Sequence, residues 1–130
     1  MQSGLGGLAL TLPIFPGRAQ EVSFTEAELT GKVDLDLYGE GIQLRKEAHD
    51  AFVEMKKAAY QDGIDIEVVS SYRGYERQRT IYERKYVLFT EEGLEPLEAV
   101  DKIIEYSTIP GTSRHHWGTD ADLIDASKPT

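Results

Sequence analysis

The feature that most constrains the fold is a change in hydrophobic periodicity at Gly63. Before it, residues 42–61 carry apolar side chains at spacings of three and four, which indicates an amphipathic helix. After it, residues 64–71 alternate in polarity and are rich in β-branched side chains, which indicates a strand. Glycine tolerates the left-handed backbone conformation common just past a helix end. The sequence therefore predicts a helix that turns directly into a strand.

The rest of the chain adds further helices and a second strand. A helical turn is predicted over residues 24–29 with Thr25 as its N-cap, and longer helices over residues 75–88 and 96–106. The last of these carries apolar side chains on one side: Leu97, Val100, Ile103 and Ile104. A short strand is predicted over residues 120–125. Together these elements indicate an α+β fold, in which three main helices pack with a small antiparallel sheet.

The chain has 130 residues, which is the size of one domain. We interpret residues 1–22 as an N-terminal arm and residues 23–130 as the folded domain. The apolar stretch at residues 8–15 is too short to span a bilayer and lacks the positively charged start of a secretory signal peptide. The sequence therefore predicts an arm that packs on the domain and no membrane span.

Charge and cysteine content exclude several classes of function. Fourteen Lys and Arg residues stand against 23 Asp and Glu residues, which gives a formal net charge of −9. Because nucleic-acid binding depends on neutralising phosphates with cationic side chains, this balance argues against a nucleic-acid partner. The absence of cysteine excludes disulfides and thiolate metal sites. A divalent cation would relieve part of the negative charge.

Residues 113–122 hold two imidazoles and two carboxylates beside a glycine, and such nitrogen and oxygen ligands suit zinc. In a straight strand His115 and Asp122 would be about 23 Å apart. If both bind one ion the chain must fold back between them, and Gly118 can provide the reversal. Asp120 and Asp122 would share one strand face, so residue types alone do not choose between them. A polar loop without a metal is the competing interpretation.

Arg73 lies where the predicted strand ends and the next helix begins. A guanidinium beside the positive end of a helix dipole is well placed to hold an anion or a developing oxyanion. The other arginines of this helix, Arg77, Arg79 and Arg84, are interpreted as surface residues in salt bridges.

Two segments resemble motifs of one peptidase family, in the same order. Residues 113–122 resemble the Ser-x-His-x-x-Gly-x-x-x-Asp signature of the VanY-type D-alanyl-D-alanine carboxypeptidases. Residues 70–78 resemble that family's Ser-x-Tyr-Arg-Ser-x-x-x-Gln element. The chain is therefore identified as similar to these zinc metallopeptidases, which share one fold with lysostaphin-type and hedgehog-type domains.

The resemblance gives each matched residue an expected role. His115 and Asp122 resemble the first two ligands of one zinc ion. Ser113 resembles the serine that helps to hold the substrate near its terminal carboxylate. Arg73 is expected to bind substrate and stabilise the oxyanion, and Gln78 to face the same cleft or buttress its loop.

Two further residues of the segment fall outside these roles. Many family members carry alanine at the place of Asp120, so the pattern favours Asp122 as the ligand. His116 falls between the motif positions and is expected to pack or hydrogen-bond nearby.

The implied reaction is zinc-dependent hydrolysis of D-Ala-D-Ala termini of peptidoglycan stem peptides, in the periplasm or cell envelope. Zinc lowers the pKa of a bound water, and a glutamate acts as its general base. Two alternatives remain open. One is an endopeptidase that cuts an L-Ala to D-Glu bond, and the other is a non-catalytic domain that binds peptidoglycan or a metal.

The family takes its third zinc ligand from a later Trp-His element, with the base glutamate shortly before it. This chain has no such element, and its remaining imidazole, His49, is interpreted as a surface residue. We therefore expect an incomplete fragment with little activity. The alternatives are a third ligand supplied by a neighbouring chain, or a degenerate domain that binds without cutting.

Overall fold

The computed structural model describes residues 23–128. The predicted N-terminal arm, residues 1–22, lies outside the described residues. The elements are, in chain order, α1 (Glu26–Leu29), α2 (Lys46–Gln61), β1 (Ile66–Ser70), α3 (Tyr75–Glu91), α4 (Pro96–Ile104), a 3₁₀ helix (Arg114–Trp117) and β2 (Asp122–Asp125). Their arrangement confirms the α+β prediction, with helices beside one small antiparallel sheet.

Helix α2 begins four residues later than the periodicity predicts. Leu44 instead pairs with Tyr38 through two backbone hydrogen bonds of 2.8 and 3.2 Å. Leu44 is buried, so its apolar side chain contributes to the pattern without being helical. At the other end the helix stops as predicted, because Gly63 adopts φ +76° in the left-handed region.

The sheet consists of β1 and β2 in antiparallel register. Ile66 pairs with Asp125 at one end and Ser70 with Asp122 at the other, with an irregularity between Val68 and Ser70. This register places Asp122 beside Ser70, the last residue of β1. Arg73 follows Ser70 by three residues. The sheet therefore brings the two sequence motifs to the same end.

Helices α3 and α4 pack against each other. The buried side of α4 is formed by Ala99 and Ile103, which are both fully buried and lie one turn apart. Leu97, which the apolar pattern placed on the same side, is 79% exposed. That part of the prediction was wrong because the side of α4 that is buried carries the small Ala99 and not Leu97.

None of the helices within residues 23–128 has the length and apolar character needed to cross a membrane.

Candidate metal and peptide site

The chain reverses direction between His115 and Asp122, as the sequence requires. Ser113 begins the 3₁₀ helix, and its Oγ accepts a hydrogen bond of 3.3 Å from the His115 amide. Gly118 ends this helix at φ +69°, a left-handed conformation that favours glycine. A Cβ at this glycine would stand 3.2 Å from Arg45 Cγ, so side-chain packing also favours glycine here.

Arg45, which directly precedes α2, forms hydrogen bonds with the residues of this reversal. Its backbone amide donates to the carbonyl of Gly118 at 2.7 Å, and its Nε donates to the carbonyl of Trp117 at 2.8 Å. Its Nη2 pairs with Glu28 Oε1 at 3.1 Å. Hydrogen bonds from Thr25, followed by the one from Arg45, lower the pKa of Glu28. Sequence reasoning missed Arg45, since it precedes the motif by some 70 residues and no local pattern marks it.

The reversal brings the predicted ligand pair together. His115 Nε2 lies 3.3 Å from Asp122 Oδ2. Two donor atoms on a tetrahedral zinc, each about 2.0–2.2 Å from the metal, are about 3.3–3.5 Å apart. The distance and the nitrogen–oxygen donor set therefore fit two ligands of one zinc ion.

The two side chains differ in burial. Asp122 is 61% exposed, whereas the His115 side chain is 12% exposed. His115 Nδ1 is buried and has no hydrogen-bond partner within the described part of the chain. Ligating histidines normally give their second ring nitrogen a polar partner, and an unpartnered buried nitrogen is uncommon. In His115, therefore, Nε2 is the ring nitrogen that faces Asp122, and Nδ1 is the buried ring nitrogen without a partner.

Asp120 points to a different partner. Its Oδ2 lies 3.5 Å from Arg114 Nε in an ion pair at the surface. The sequence left the choice between Asp120 and Asp122 open on residue types, and the folded chain brings Asp122 to His115.

Arg73 is held at the junction of β1 and α3 from several directions. Its Nη1 donates to Gln78 Oε1 at 2.8 Å, and its Nη2 donates to Ser70 Oγ at 3.0 Å. Its backbone amide donates to the carbonyl of His115 at 3.1 Å. The motif of residues 70–78 is therefore bonded directly to the motif of residues 113–122 through Arg73.

Gln78 is fully buried behind Arg73. Its Nε2 donates to the carbonyl of Thr108 at 2.7 Å and to Ser107 Oγ at 3.2 Å, while its Oε1 accepts from Arg73. All its polar atoms are engaged within the protein. These contacts favour the buttressing alternative over direct contact with a substrate.

His116 is also fully buried, and it lies at the centre of the junction. Its Nδ1 is 2.5 Å from the carbonyl of Arg73, and its Nε2 accepts a hydrogen bond of 3.1 Å from the Gly111 amide. Because a carbonyl only accepts and an amide only donates, these partners require the neutral tautomer with the proton on Nδ1. The ring thus has no free nitrogen to offer a metal.

Gly31 makes room for this imidazole. A Cβ at Gly31 would stand 2.6 Å from His116 Nδ1, and the residue has φ +72°. Its carbonyl also accepts a hydrogen bond of 2.7 Å from the Tyr75 amide at the start of α3. The proximity of Gly31 to His116 depends on tertiary structure, and the sequence did not predict it.

Arg73, Ser113, His115 and Asp122 line one cleft of about 280 Å³. The last residue of α4 and the segment after it, residues 104–108, also line this cleft. Four of the five residues predicted for the site therefore meet in one concavity, and the fifth, Gln78, lies behind it. Within residues 23–128 no group of three or more histidine, aspartate or glutamate side chains is arranged to hold a metal ion.

Comparison with known proteins agrees with both motifs. A model of the VanY family, described as D-alanyl-D-alanine carboxypeptidase, matches residues 41–130. The chain belongs to the VanY family. This confirms the resemblance inferred from the two segments.

Among curated proteins, the chain is 34% identical over 84 residues to the "Putative carboxypeptidase YodJ" of Bacillus subtilis (strain 168), which covers 65% of this chain and 28% of that protein. Among solved structures, the fold is similar to that of VanYB in complex with D-alanine-D-alanine, with a TM-score of 0.65 and 25% identity. That match covers 73% of this chain and 54% of the other.

Two further structures are similar. A mutant of the vancomycin-resistance D,D-pentapeptidase VanY from a VanB-type cassette, in complex with Zn(II), matches with a TM-score of 0.61 and 26% identity over 72% of this chain and 53% of that one. The LD-carboxypeptidase LdcB matches with a TM-score of 0.55 and 32% identity over 72% of this chain and 42% of that one. The chain thus spans about a quarter of its curated relative and about half of these VanY structures.

Proposed function

We propose that this VanY-family domain is the zinc-binding part of a peptidase that hydrolyses D-Ala-D-Ala termini of peptidoglycan stem peptides in the cell envelope. The observation that carries the proposal is the 3.3 Å approach of His115 Nε2 to Asp122 Oδ2 in a cleft that Arg73 also lines. The solved relatives support zinc and D-alanine-D-alanine as ligands, since one holds Zn(II) and another holds that dipeptide.

In this proposal His115 and Asp122 hold the zinc ion. Bound zinc activates a water and polarises the carbonyl of the scissile bond. Arg73 contributes a fixed positive charge to the same cleft, and its hydrogen bonds to Ser70 and Gln78 fix the direction of its guanidinium. A preoriented charge stabilises a developing oxyanion without a cost of reorganisation during the reaction.

Ser113 and Gln78 have different roles, one in substrate binding and the other in positioning Arg73. The Ser113 hydroxyl accepts a hydrogen bond from the His115 amide, so its proton is free to be donated to a substrate carboxylate in the cleft. Gln78 has no free polar atom, and we assign it to the positioning of Arg73. This replaces the substrate contact expected from the motif with an indirect role.

The 130-residue polypeptide itself should bind zinc weakly and turn over slowly. Catalytic zinc sites usually have three protein ligands. The sequence contains three histidines, and the two besides His115 are poor candidates. His116 is committed to two backbone groups, and His49 contacts Asp50 on helix α2. The second candidate function is a domain that binds peptidoglycan without cutting it.

Zinc titration of four proteins tests the assignment. The wild-type chain is compared with His115→Ala, Asp122→Ala and the matched control Asp120→Ala, which removes a carboxylate two residues from the proposed ligand. We expect the first two variants to lose at least about tenfold in zinc affinity, since even outer-shell changes cost that much. The control should bind like the wild type. Circular dichroism of each variant separates loss of metal from loss of folding.

The opposite pattern, with zinc lost in Asp120→Ala and kept in Asp122→Ala, would refute the ligand assignment. Release of D-alanine from an N-acylated L-Lys-D-Ala-D-Ala peptide distinguishes the two functions. Slow, zinc-dependent release supports the peptidase, whereas peptide binding with no release supports the binding domain. Release at the rate of an intact peptidase would contradict our expectation of a weak site.

A further inference from the structure

A second concavity shares one lining residue, Arg73, with the metal cleft. This groove of about 520 Å³ is lined by the end of β1, the loop before α2 and the first turns of α3. The polar residues that line it include Gln43, Ser70, Ser71, Arg73 and Arg77. Arg73 lines both concavities, so the groove adjoins the proposed active site at this residue.

The groove is rich in hydrogen-bond donors. Ser70 Oγ accepts from Arg73, and Ser71 Oγ accepts from the Gln43 amide at 3.0 Å. A hydroxyl whose oxygen already accepts a bond keeps its proton to donate. Two hydroxyl protons and two guanidinium groups therefore border the groove, and this set of donors suits an anion.

The sequence interpretation of Arg77 and Arg84 as residues in salt bridges was wrong. Within the part of the chain that the structure describes, no carboxylate lies within 4.0 Å of either guanidinium. Arg79, two residues after Arg77, pairs with Glu76 and Glu83. Arg77 is exposed and lines the same groove as Arg73, so its guanidinium is free to pair with an anion there. Arg77 also occupies the first turn of α3, where a positive charge opposes the helix dipole.

We propose that this groove binds a second carboxylate of the substrate, with Arg77 as its specificity-determining residue. The chemical class is a stem peptide with a free carboxylate upstream of the scissile bond, on either a γ-linked glutamate or a diaminopimelate residue. This proposal rests on the proposed function, because it takes the same stem peptide as the ligand. Arg73 would lie between the second carboxylate and the scissile bond.

Matched peptides and matched variants test the groove. The first peptide is L-Ala-γ-D-Glu-L-Lys-D-Ala-D-Ala, and the second carries an amide in place of the free glutamate carboxylate. A third keeps the amide and has diaminopimelate in place of lysine. Binding is followed on the ¹⁵N-labelled 130-residue chain through the amides of Ser71 and Arg77 in the groove and of His115 in the cleft.

We expect the first or the third peptide to bind about three- to tenfold more tightly than the second, as for one partly exposed charge-assisted contact. The peptide that gains affinity identifies the residue that carries the carboxylate. Arg77→Gln should abolish the preference. Arg84→Gln should keep it, because Arg84 is an exposed residue of the same helix, two turns on, that does not line the groove. Added salt should weaken the preference.

The outcomes separate this proposal from the proposed function. If the cleft amide shifts while the three peptides bind equally, the groove proposal is overturned and the peptidase proposal stands. If the groove amides shift and the cleft amide does not, the groove binds anions and the proposed function is overturned. Equal loss of preference in both arginine variants would also refute Arg77, since it would indicate a general charge effect. If no amide shifts, both proposals fail.

Discussion

The buried centre of the site and the outer faces of the helices are built in opposite ways. The centre, which we call the polar hub, consists of Gln78, Ser113 and His116, each at most 3% exposed. On the outer faces, apolar side chains are exposed: Tyr60 to 73%, Leu97 to 79% and others to about half. Exposed apolar side chains are common in folded proteins, whereas three fully or almost fully buried polar side chains in one place are not.

The comparison indicates what fixes the site. Among the described residues the buried apolar side chains are Leu44, Phe52, Ala99 and Ile103. These apolar side chains cannot form hydrogen bonds. The residues of the polar hub, in contrast, form hydrogen bonds with Arg73 and His115. The geometry of the cleft therefore depends on satisfied buried hydrogen bonds, and such networks are costly to leave half made.

The largest effect should follow the loss of His116. His116→Ala leaves the carbonyl of Arg73 and the amide of Gly111 without partners in a buried space and opens a cavity. We expect the free energy of unfolding to fall by about 3–5 kcal/mol, from unpaired groups and lost packing together. Urea denaturation followed by circular dichroism measures this.

Two variants sharpen that result. His116→Asn can still donate to the carbonyl of Arg73, so it should lose less than the alanine variant. His49→Ala removes a histidine whose side chain is 25% exposed, and it should change the stability by about 1 kcal/mol or less. If His49→Ala costs as much as His116→Ala, the polar hub is not the special region proposed here.

Gln78→Leu should have the next largest effect. Leucine fills a similar volume but leaves the carbonyl of Thr108 unpaired and frees the Arg73 guanidinium. We expect a loss of about 2–3 kcal/mol in the free energy of unfolding. The same substitution at Gln61, an exposed residue at the end of α2, is the control and should cost under about 0.5 kcal/mol.

Gln78→Leu should also weaken binding of D-alanine-D-alanine at a temperature where the variant is folded, because Arg73 is no longer oriented. A variant that loses stability but binds the dipeptide normally would show that Gln78 supports the fold without positioning Arg73.

The sequence predicted the parts of the site that depend on local pattern. Gly118 permits the reversal through its left-handed backbone conformation, which a local pattern can predict, and the reversal brings His115 and Asp122 together. The role of Arg45 was beyond such reasoning, because the carbonyls of Trp117 and Gly118 to which it donates lie more than 70 residues away and the contact depends on tertiary structure. The unpaired state of Arg77 was missed for the same reason.

The apolar pattern of α4 shows a second limit. Periodicity identifies a helix, but it does not say which side chains of a broad apolar arc meet a neighbour. In α4 Ile103 is fully buried, whereas Leu97 is 79% exposed. Burial depends on where the neighbouring elements lie, and the apolar pattern of α4 alone does not give their position.

The smallest predicted effect lies on this outer face. Leu97→Gln replaces an exposed side chain with one of similar helix propensity, so the free energy of unfolding should change by less than about 0.5 kcal/mol. Ile103→Ala on the same helix removes a fully buried side chain and should cost about 2–5 kcal/mol. Thermal and urea denaturation of the two variants compare the two sides of one helix directly. A loss at Leu97 equal to that at Ile103 would mean that the outer face is covered in solution, and the contrast between polar hub and exposed apolar face would then no longer hold.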